Sequence, residues 1–274
     1  MEAGTAQTPS VRSSDGTTIA FEKTGTGPPV ILVASALADR SDAKKLAALL
    51  APHVTVFNYD RRGRGASGDT APYAVQREVE DIAALVEEAG GSAFLFGSSS
   101  GAALALEAAA QVTGVERLAL FEPPFVVDAN DRRPPSDFGR RLDDLLAADR
   151  RAKAVTYFMT KGLGMPAAFL WLMRLMPRTW SNLKAMAPTI PYDVAVMGDT
   201  QAGKPLPSER WASVTVPTLV MHGGKSPPHI RHAATALAEV LPKAQHRTVD
   251  GVGHGAVVMA PKKLVPALRE FFEA

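Results

Sequence analysis

Short runs rich in β-branched and aromatic residues alternate with helical patterns along most of this chain of 274 residues. The sequence predicts strands at 17–23, 30–33, 54–59, 93–96, 118–121, 216–221 and 245–249. It predicts helices at 41–50, 73–89, 100–111, 229–240 and 261–273. This alternation favours the α/β class, with a mostly parallel sheet and helices on both faces.

The alternation stops between residues 126 and 205, where only helical patterns, loops and prolines occur. We therefore predict a core formed by residues 1–125 and 206–274, with residues 126–205 inserted as a helical cap. Ligands of such sheets bind beyond the carboxyl ends of the strands. An insertion after the strand at 118–121 would cover that edge.

The charges nearly balance, since 30 basic and 28 acidic residues give a net charge of +2. A value this small predicts neither a nucleic-acid partner nor a membrane partner. The chain has no cysteine, which excludes disulfides and thiolate chemistry. The segment Met1–Arg12 lacks a basic region followed by an apolar run, so we expect no signal peptide and a cytoplasmic protein.

The motif Gly97-Ser98-Ser99-Ser100-Gly101 lies directly between a predicted strand and an alanine-rich predicted helix. The pattern G-x-S-x-G in this setting forms a tight turn that presents the central hydroxyl above the sheet. The amides at the start of the following helix point towards negative charge that develops there. Ser99 is therefore the candidate nucleophile.

A serine hydroxyl needs a base, and we select His254 from the six histidines of the chain. His254 lies in a glycine-rich loop after the last predicted strand, which opens at the same sheet edge as Ser99. His229 and His232 are one helical turn apart and could form a metal pair, but the sequence shows no third ligand, and an exposed helix face is the simpler interpretation.

These motifs resemble the α/β-hydrolase superfamily over nearly the whole chain, in the order serine, acid, histidine. A further match is Asp60-Arg61-Arg62-Gly63-Arg64-Gly65-Ala66-Ser67-Gly68, similar to the D-x-R-G-x-G-x-S turn of that family. The resemblance implies a structural role for this turn, so neither Asp60 nor the arginines are assigned a catalytic one.

The chain departs from the family after the strand that ends at Val33, where Ala34-Ser35-Ala36-Leu37 replaces the usual His-Gly. Because the oxyanion hole uses backbone amides, the N–H groups of Ala36 and Ser100 can still form it.

The second departure is Ser226, which stands where many members carry the triad aspartate. A hydroxyl cannot stabilise an imidazolium by charge, so another acid is needed. Glu122, at the end of the strand that follows the nucleophile's, is the preferred substitute, and Asp250 is the alternative. This combination resembles the zearalenone lactonases, which carry a Ser-Ser-Gly elbow, a glutamate after the next strand and a Ser-Pro in the vacated position.

The predicted activity is hydrolysis of an ester or lactone of a medium-sized, hydrophobic substrate through an acyl-enzyme, with no metal or organic cofactor. Aromatic and methionine side chains are frequent in the predicted cap, and Met159 and Trp180 are the candidate pocket walls. A serine at the elbow argues against an epoxide hydrolase or a dehalogenase. A perhydrolase, a C–C hydrolase and a catalytically silent binding protein or cyclase stay open.

Overall fold

A computed structural model describes residues 8–274 of the chain. The predicted absence of a signal peptide concerns residues that lie mostly outside this range. Residues 8–274 contain eight strands: β1 Ser10–Arg12, β2 Thr18–Thr24, β3 Pro29–Val33, β4 Thr55–Tyr59, β5 Ala93–Ser98, β6 Val115–Phe121, β7 Thr218–Gly223 and β8 Ala244–Val249. They form one sheet in the order β1-β2-β4-β3-β5-β6-β7-β8.

The sheet is parallel from β4 to β8, and only the pairs β1–β2 and β2–β4 are antiparallel. The α/β class with a mostly parallel sheet is thereby confirmed. The chain leaves β3 towards β4 on one side and later returns to β5 on the other side. A crevice at the carboxyl ends of two such strands is the usual ligand site of this architecture.

Helices cover both faces of the sheet. The helices are α1 Arg40–Leu50, α2 Val75–Glu88, α3 Ser100–Ala109, α4 Phe138–Ala147, α5 Arg151–Tyr157, α6 Ala167–Arg174, α7 Pro177–Met186, α8 Ile190–Met197, α9 Pro228–Val240, α10 Ala256–Met259 and α11 Pro261–Glu273. Side chains from α2, α3 and α9 form the apolar core on one face, and side chains from α1 and α11 form the core on the other.

Helices α4 to α8 follow one another between β6 and β7, joined by a π-helical turn at Phe158–Gly162 and a 3₁₀ turn at Ala187–Thr189. Their buried side chains form a third apolar cluster, which Leu37 joins from the loop after β3. These helices therefore pack against the crevice at the ends of β3 and β5. Among residues 8–274, no helix has the combined length and apolar character needed to cross a membrane.

Candidate active site

Ser99 occupies the turn between β5 and α3, at a backbone conformation that few side-chain-bearing residues adopt. Its φ is +55° and its ψ is −127°. Such a conformation costs about 1–3 kcal/mol and persists only where the surrounding structure enforces it. Here the Ser99 N–H donates to the Phe121 carbonyl at 2.9 Å, which ties the turn to the neighbouring strand β6.

Two glycines allow this turn because the backbone approaches them too closely for a side chain. A Cβ atom at Gly97 would overlap the backbone of Gly101 and Ala102. A Cβ atom at Gly101 would overlap the carbonyl oxygens of Val33 and Ala34. The first and last positions of the sequence motif are therefore required to be glycine by contact with the backbone, and not by a positive φ.

His254 reaches Ser99 from the loop between β8 and α10. Its Nε2 lies 3.0 Å from Ser99 Oγ, and a third of its side chain (33%) stays exposed. The loop is anchored where the Lys225 N–H donates to the Val252 carbonyl at 2.8 Å. The structure thus brings together the two residues that the sequence paired across 155 positions.

Glu122 completes the line on the other side of His254. Its Oε2 lies 2.7 Å from His254 Nδ1, and the residue is fully buried at 0% exposure. It directly follows β6, with a positive φ of +53°, and its N–H donates to the Met221 carbonyl at 2.9 Å. This backbone conformation turns the carboxylate towards the histidine loop.

The second carboxylate oxygen of Glu122 accepts from the Gly223 N–H at 2.6 Å and from the Ser226 hydroxyl. Burial alone would raise the pKa of Glu122, but the hydrogen bond and charge of His254, together with these two donors, hold that pKa below its ordinary value. Glu122 is consequently an anion at neutral pH. Ser226, at the position where the sequence resemblance would place an aspartate, therefore contacts Glu122.

Asp250, the alternative acid, is exposed. Within the part of the chain that the structure describes, His254 Nδ1 bonds to Glu122 and not to Asp250.

The loop after β3 is held near Ser99 by the arginines of the turn that follows β4. The Arg64 guanidinium donates to the carbonyls of Ser35 at 2.7 Å and Ala38 at 3.3 Å. Arg61 donates to the Ala34 carbonyl at 3.2 Å. These bonds fix the loop that carries Ala36, and Ala36, Ser99 and Ser100 line the same pocket.

Asp193 on α8 is a site residue that the sequence did not reveal. Its carboxylate accepts from the Ser100 hydroxyl at 2.8 Å and from Arg61 and Arg64 at 2.7 Å each. Burial would raise its pKa, but the charges of Arg64 and Arg61 and the Ser100 bond hold the pKa of Asp193 below its ordinary value. No local pattern marks this aspartate, because its partners lie 93 to 132 positions away.

The pocket beside Ser99 is small, about 50 Å³, and its walls are mostly apolar. The larger apolar side chains that line it are Phe138, Phe158, Leu163, Val194 and Met197, beside Ala36, Pro124 and Pro134. A wider cleft of about 390 Å³ shares Pro134, Phe138, Val194 and Gln201 with it, so the two spaces adjoin. The apolar character predicted for the site is present, but it comes from α4, α8 and the π-helical turn.

The two predicted wall residues lie elsewhere. Met159 is buried in the apolar cluster of α4 to α8, and Trp180 packs at the margin of that cluster with the Arg174 guanidinium 5.1 Å from its ring centre. Neither lines the pocket beside Ser99 or the adjoining cleft. Sequence could indicate an aromatic-rich cap, but not which side of each helix faces the site.

One histidine of the pair on α9 contacts a carboxylate. His232 Nδ1 lies 3.2 Å from the Asp131 carboxylate. Among residues 8–274, no group of three or more His, Cys, Asp or Glu side chains is arranged to hold a metal ion.

Comparisons of sequence relate this chain to known proteins in two ways. Residues 30–267 match the alpha/beta hydrolase family. A pimeloyl-[acyl-carrier protein] methyl ester esterase of Xanthomonas campestris is 29% identical over an alignment of 261 positions, which covers 91% of this chain and 97% of that protein.

Two solved structures extend the comparison. An alpha/beta hydrolase from Sphaerobacter thermophilus is 52% identical, with a TM-score of 0.89 over 96% of this chain and all of that one. A thermophilic esterase from Thermogutta terrifontis has a TM-score of 0.67 at 22% identity, covering 98% of both chains. The second likeness concerns the fold alone.

Proposed function

This chain belongs to the alpha/beta hydrolase family, and from that membership we propose that it cleaves carboxylic esters or lactones through an acyl-enzyme on Ser99. The observation that carries the proposal is the continuous hydrogen-bonded line from Ser99 through His254 to Glu122, at 3.0 Å and 2.7 Å. An ionised, buried Glu122 keeps the proton of neutral His254 on Nδ1, which leaves Nε2 free to accept one.

In the first half-reaction, His254 Nε2 takes the Ser99 hydroxyl proton while Oγ attacks the substrate carbonyl carbon. The N–H groups of Ala36 and Ser100 stabilise the resulting oxyanion. His254 then gives its proton to the departing alkoxide, and the acyl-enzyme remains. For a lactone, the alkoxide stays attached to the acyl group.

In the second half-reaction, His254 takes a proton from water, whose oxygen attacks the acyl carbon. Collapse of the second tetrahedral intermediate returns the proton to Ser99 and releases the carboxylic acid. Neither half-reaction changes the oxidation state of any atom, so no redox partner is needed.

We assign residues 126–205 to a cap and the remainder to the hydrolase core, as the sequence predicts. The small apolar pocket under α4 and α8 favours an apolar group next to the scissile carbonyl. The adjoining cleft has room for a larger and more polar remainder of the substrate. The resemblance to zearalenone lactonases rests on motifs, so a resorcylic lactone is one member of the test panel and not the proposed substrate.

The test is hydrolysis of a panel of p-nitrophenyl esters, aliphatic methyl esters and lactones by the purified chain, with Ser99→Ala as the matched control. We expect turnover of apolar esters or lactones that Ser99→Ala abolishes. Absence of turnover with every substrate, in a protein whose circular dichroism and thermal transition are those of a folded chain, would contradict the proposal.

A further inference from the structure

The segment from Leu163 to Met176 exposes six large apolar side chains, and we call this set the apolar patch. The set is Leu163, Phe169, Trp171, Leu172, Leu175 and Met176. Trp171 is 64% exposed and Leu175 is 60% exposed. Of the eight residues of α6, only Leu170 is buried.

This degree of exposure is unusual for a helix on a protein surface. A surface helix normally buries its apolar face and presents polar residues to water. The sequence of α6, AAFLWLMR, has no polar residue before its final arginine. Contiguous apolar surface of this kind marks a site of contact with a protein or a membrane.

The same part of the chain is strongly basic. Residues 150–192 contain seven of the chain's 30 basic residues and none of its 28 acidic ones. Arg150, Arg151, Lys153 and Lys184 line one cleft between α5 and α7, where Asp149 is the single acidic neighbour. Arg174 and Arg178 are exposed next to the apolar patch itself.

We propose that the apolar patch docks on the surface of an anionic phospholipid bilayer. Large apolar side chains with a Trp, next to exposed arginines, are the features by which amphipathic helices insert shallowly between lipid headgroups. Basic residues near such a surface are attracted by its negative potential. The net charge of the whole chain, +2, predicted no membrane partner. That value hides this local excess of basic residues, because acidic residues elsewhere in the sequence offset it.

A second copy of the chain is a poorer occupant for the same surface. A two-fold interface brings identical patches together. The basic residues next to the apolar patch would then face the same basic residues of the second copy, without acidic partners. An anionic lipid surface satisfies both the apolar and the charged part of the region.

Docking in this orientation has a consequence for the site. Leu163 belongs to the apolar patch and also lines the pocket beside Ser99. The mouth of the pocket would therefore adjoin the lipid phase, from which an apolar ester could enter. Lipid binding itself does not depend on the proposed activity.

The experiment is co-sedimentation of the full chain with vesicles of phosphatidylcholine alone and of phosphatidylcholine with phosphatidylglycerol. We compare wild type with Leu172→Ser/Leu175→Ser. The matched control is Val258→Ser/Met259→Ser, which removes two exposed apolar side chains outside the patch. Circular dichroism and the thermal transition of all three proteins report on folding.

We expect binding to the anionic vesicles, weakened by salt, and a loss of at least about tenfold in affinity for Leu172→Ser/Leu175→Ser. The control should bind within about twofold of wild type. Anionic vesicles should also shift tryptophan emission to the blue, and Trp171→Phe should remove that shift.

Three kinds of result would overturn the proposal. One is failure to sediment with anionic vesicles, or equal binding by the patch variant. Another is a dimer, measured by light scattering, that only the patch variant dissociates, because this would assign the surface to a second copy. The third is binding of an acidic polypeptide such as polyglutamate in place of vesicles, which would indicate a protein partner.

Discussion

Replacement of Glu122 by Gln should nearly abolish turnover without unfolding the protein. The two donors at Oε1, the Gly223 N–H and the Ser226 hydroxyl, require an oxygen there. The amide oxygen of the glutamine must therefore occupy that position, which turns its NH₂ group towards His254. Nδ1 of His254 then has to accept a hydrogen bond, and the ring proton moves to Nε2.

A histidine protonated on Nε2 donates to Ser99 and cannot take its proton. In a serine triad this wrong tautomer lowers kcat by about 10⁴-fold, which corresponds to about 5 kcal/mol of activation free energy. The full effect is expected here because Glu122 is completely buried and bonds His254 at 2.7 Å. No water can replace the carboxylate.

The assay is steady-state hydrolysis of a p-nitrophenyl ester, with the thermal transition as the control for folding. Asp250→Asn is the matched variant, since Asp250 is the exposed alternative acid, and it should keep kcat within about threefold of wild type. A Glu122→Gln protein that retains more than a tenth of the wild-type kcat would refute the reasoning. A large loss in Asp250→Asn instead would transfer the role of the acid to Asp250.

Four further outcomes follow from the contacts of the site. Ser226→Ala removes a donor to an ionised carboxylate, so kcat should fall about tenfold in steady-state assays while KM changes little. Gly101→Ala forces a Cβ atom onto two backbone carbonyls at the end of β3, and urea titration should show a loss of at least about 1–3 kcal/mol in the free energy of unfolding. Asp193→Asn leaves buried arginine charge uncompensated, with an expected loss of about 3–5 kcal/mol by the same titration. The pKa values of Glu122 and Asp193 lie below their ordinary values in the folded chain, so their stabilisation is fully present above about pH 5 and is lost as the pH falls through the unfolded and then the folded values.

Each of these outcomes has a contrary result. A Ser226→Ala protein with wild-type kcat would remove that hydroxyl from the support of Glu122, and a stable Gly101→Ala protein would show that the β3 carbonyls can move. An unchanged urea midpoint in Asp193→Asn would contradict the charge argument. Equal pH dependence of stability in wild type and Asp193→Asn would contradict the assignment of the acid-sensitive contribution to Asp193.

The sheet was predictable because its signals are local. The parallel strands β3 to β7 are short runs of mostly apolar, β-rich residues, and every predicted strand, including the more polar β8, lies within about three residues of an observed one. The three-residue strand β1, Ser10–Arg12, was missed. It has one apolar residue, and pairing with β2 rather than its own pattern makes it a strand.

The juxtaposition of Ser99, His254 and Glu122 could be predicted for the same reason. Parallel strands bring their carboxyl ends to one edge, so residues that follow β5, β6 and β8 meet whatever their distance in sequence. Asp193 had no such signal, because a helix in the inserted region can meet the sheet edge in many ways. The prediction of the pocket walls was wrong for a related reason. Met159 and Phe158 are adjacent in sequence, yet of these two only Phe158 lines the pocket.

The central claim is that His254 and Glu122 activate Ser99, and the most direct test is covalent labelling by a small fluorophosphonate, read by intact mass and peptide mapping. Wild type should gain one adduct, on Ser99, and the labelling rate should fall by at least about a hundredfold in His254→Ala. No adduct in the folded wild-type protein, an adduct on another residue, or equal labelling of His254→Ala would contradict the account.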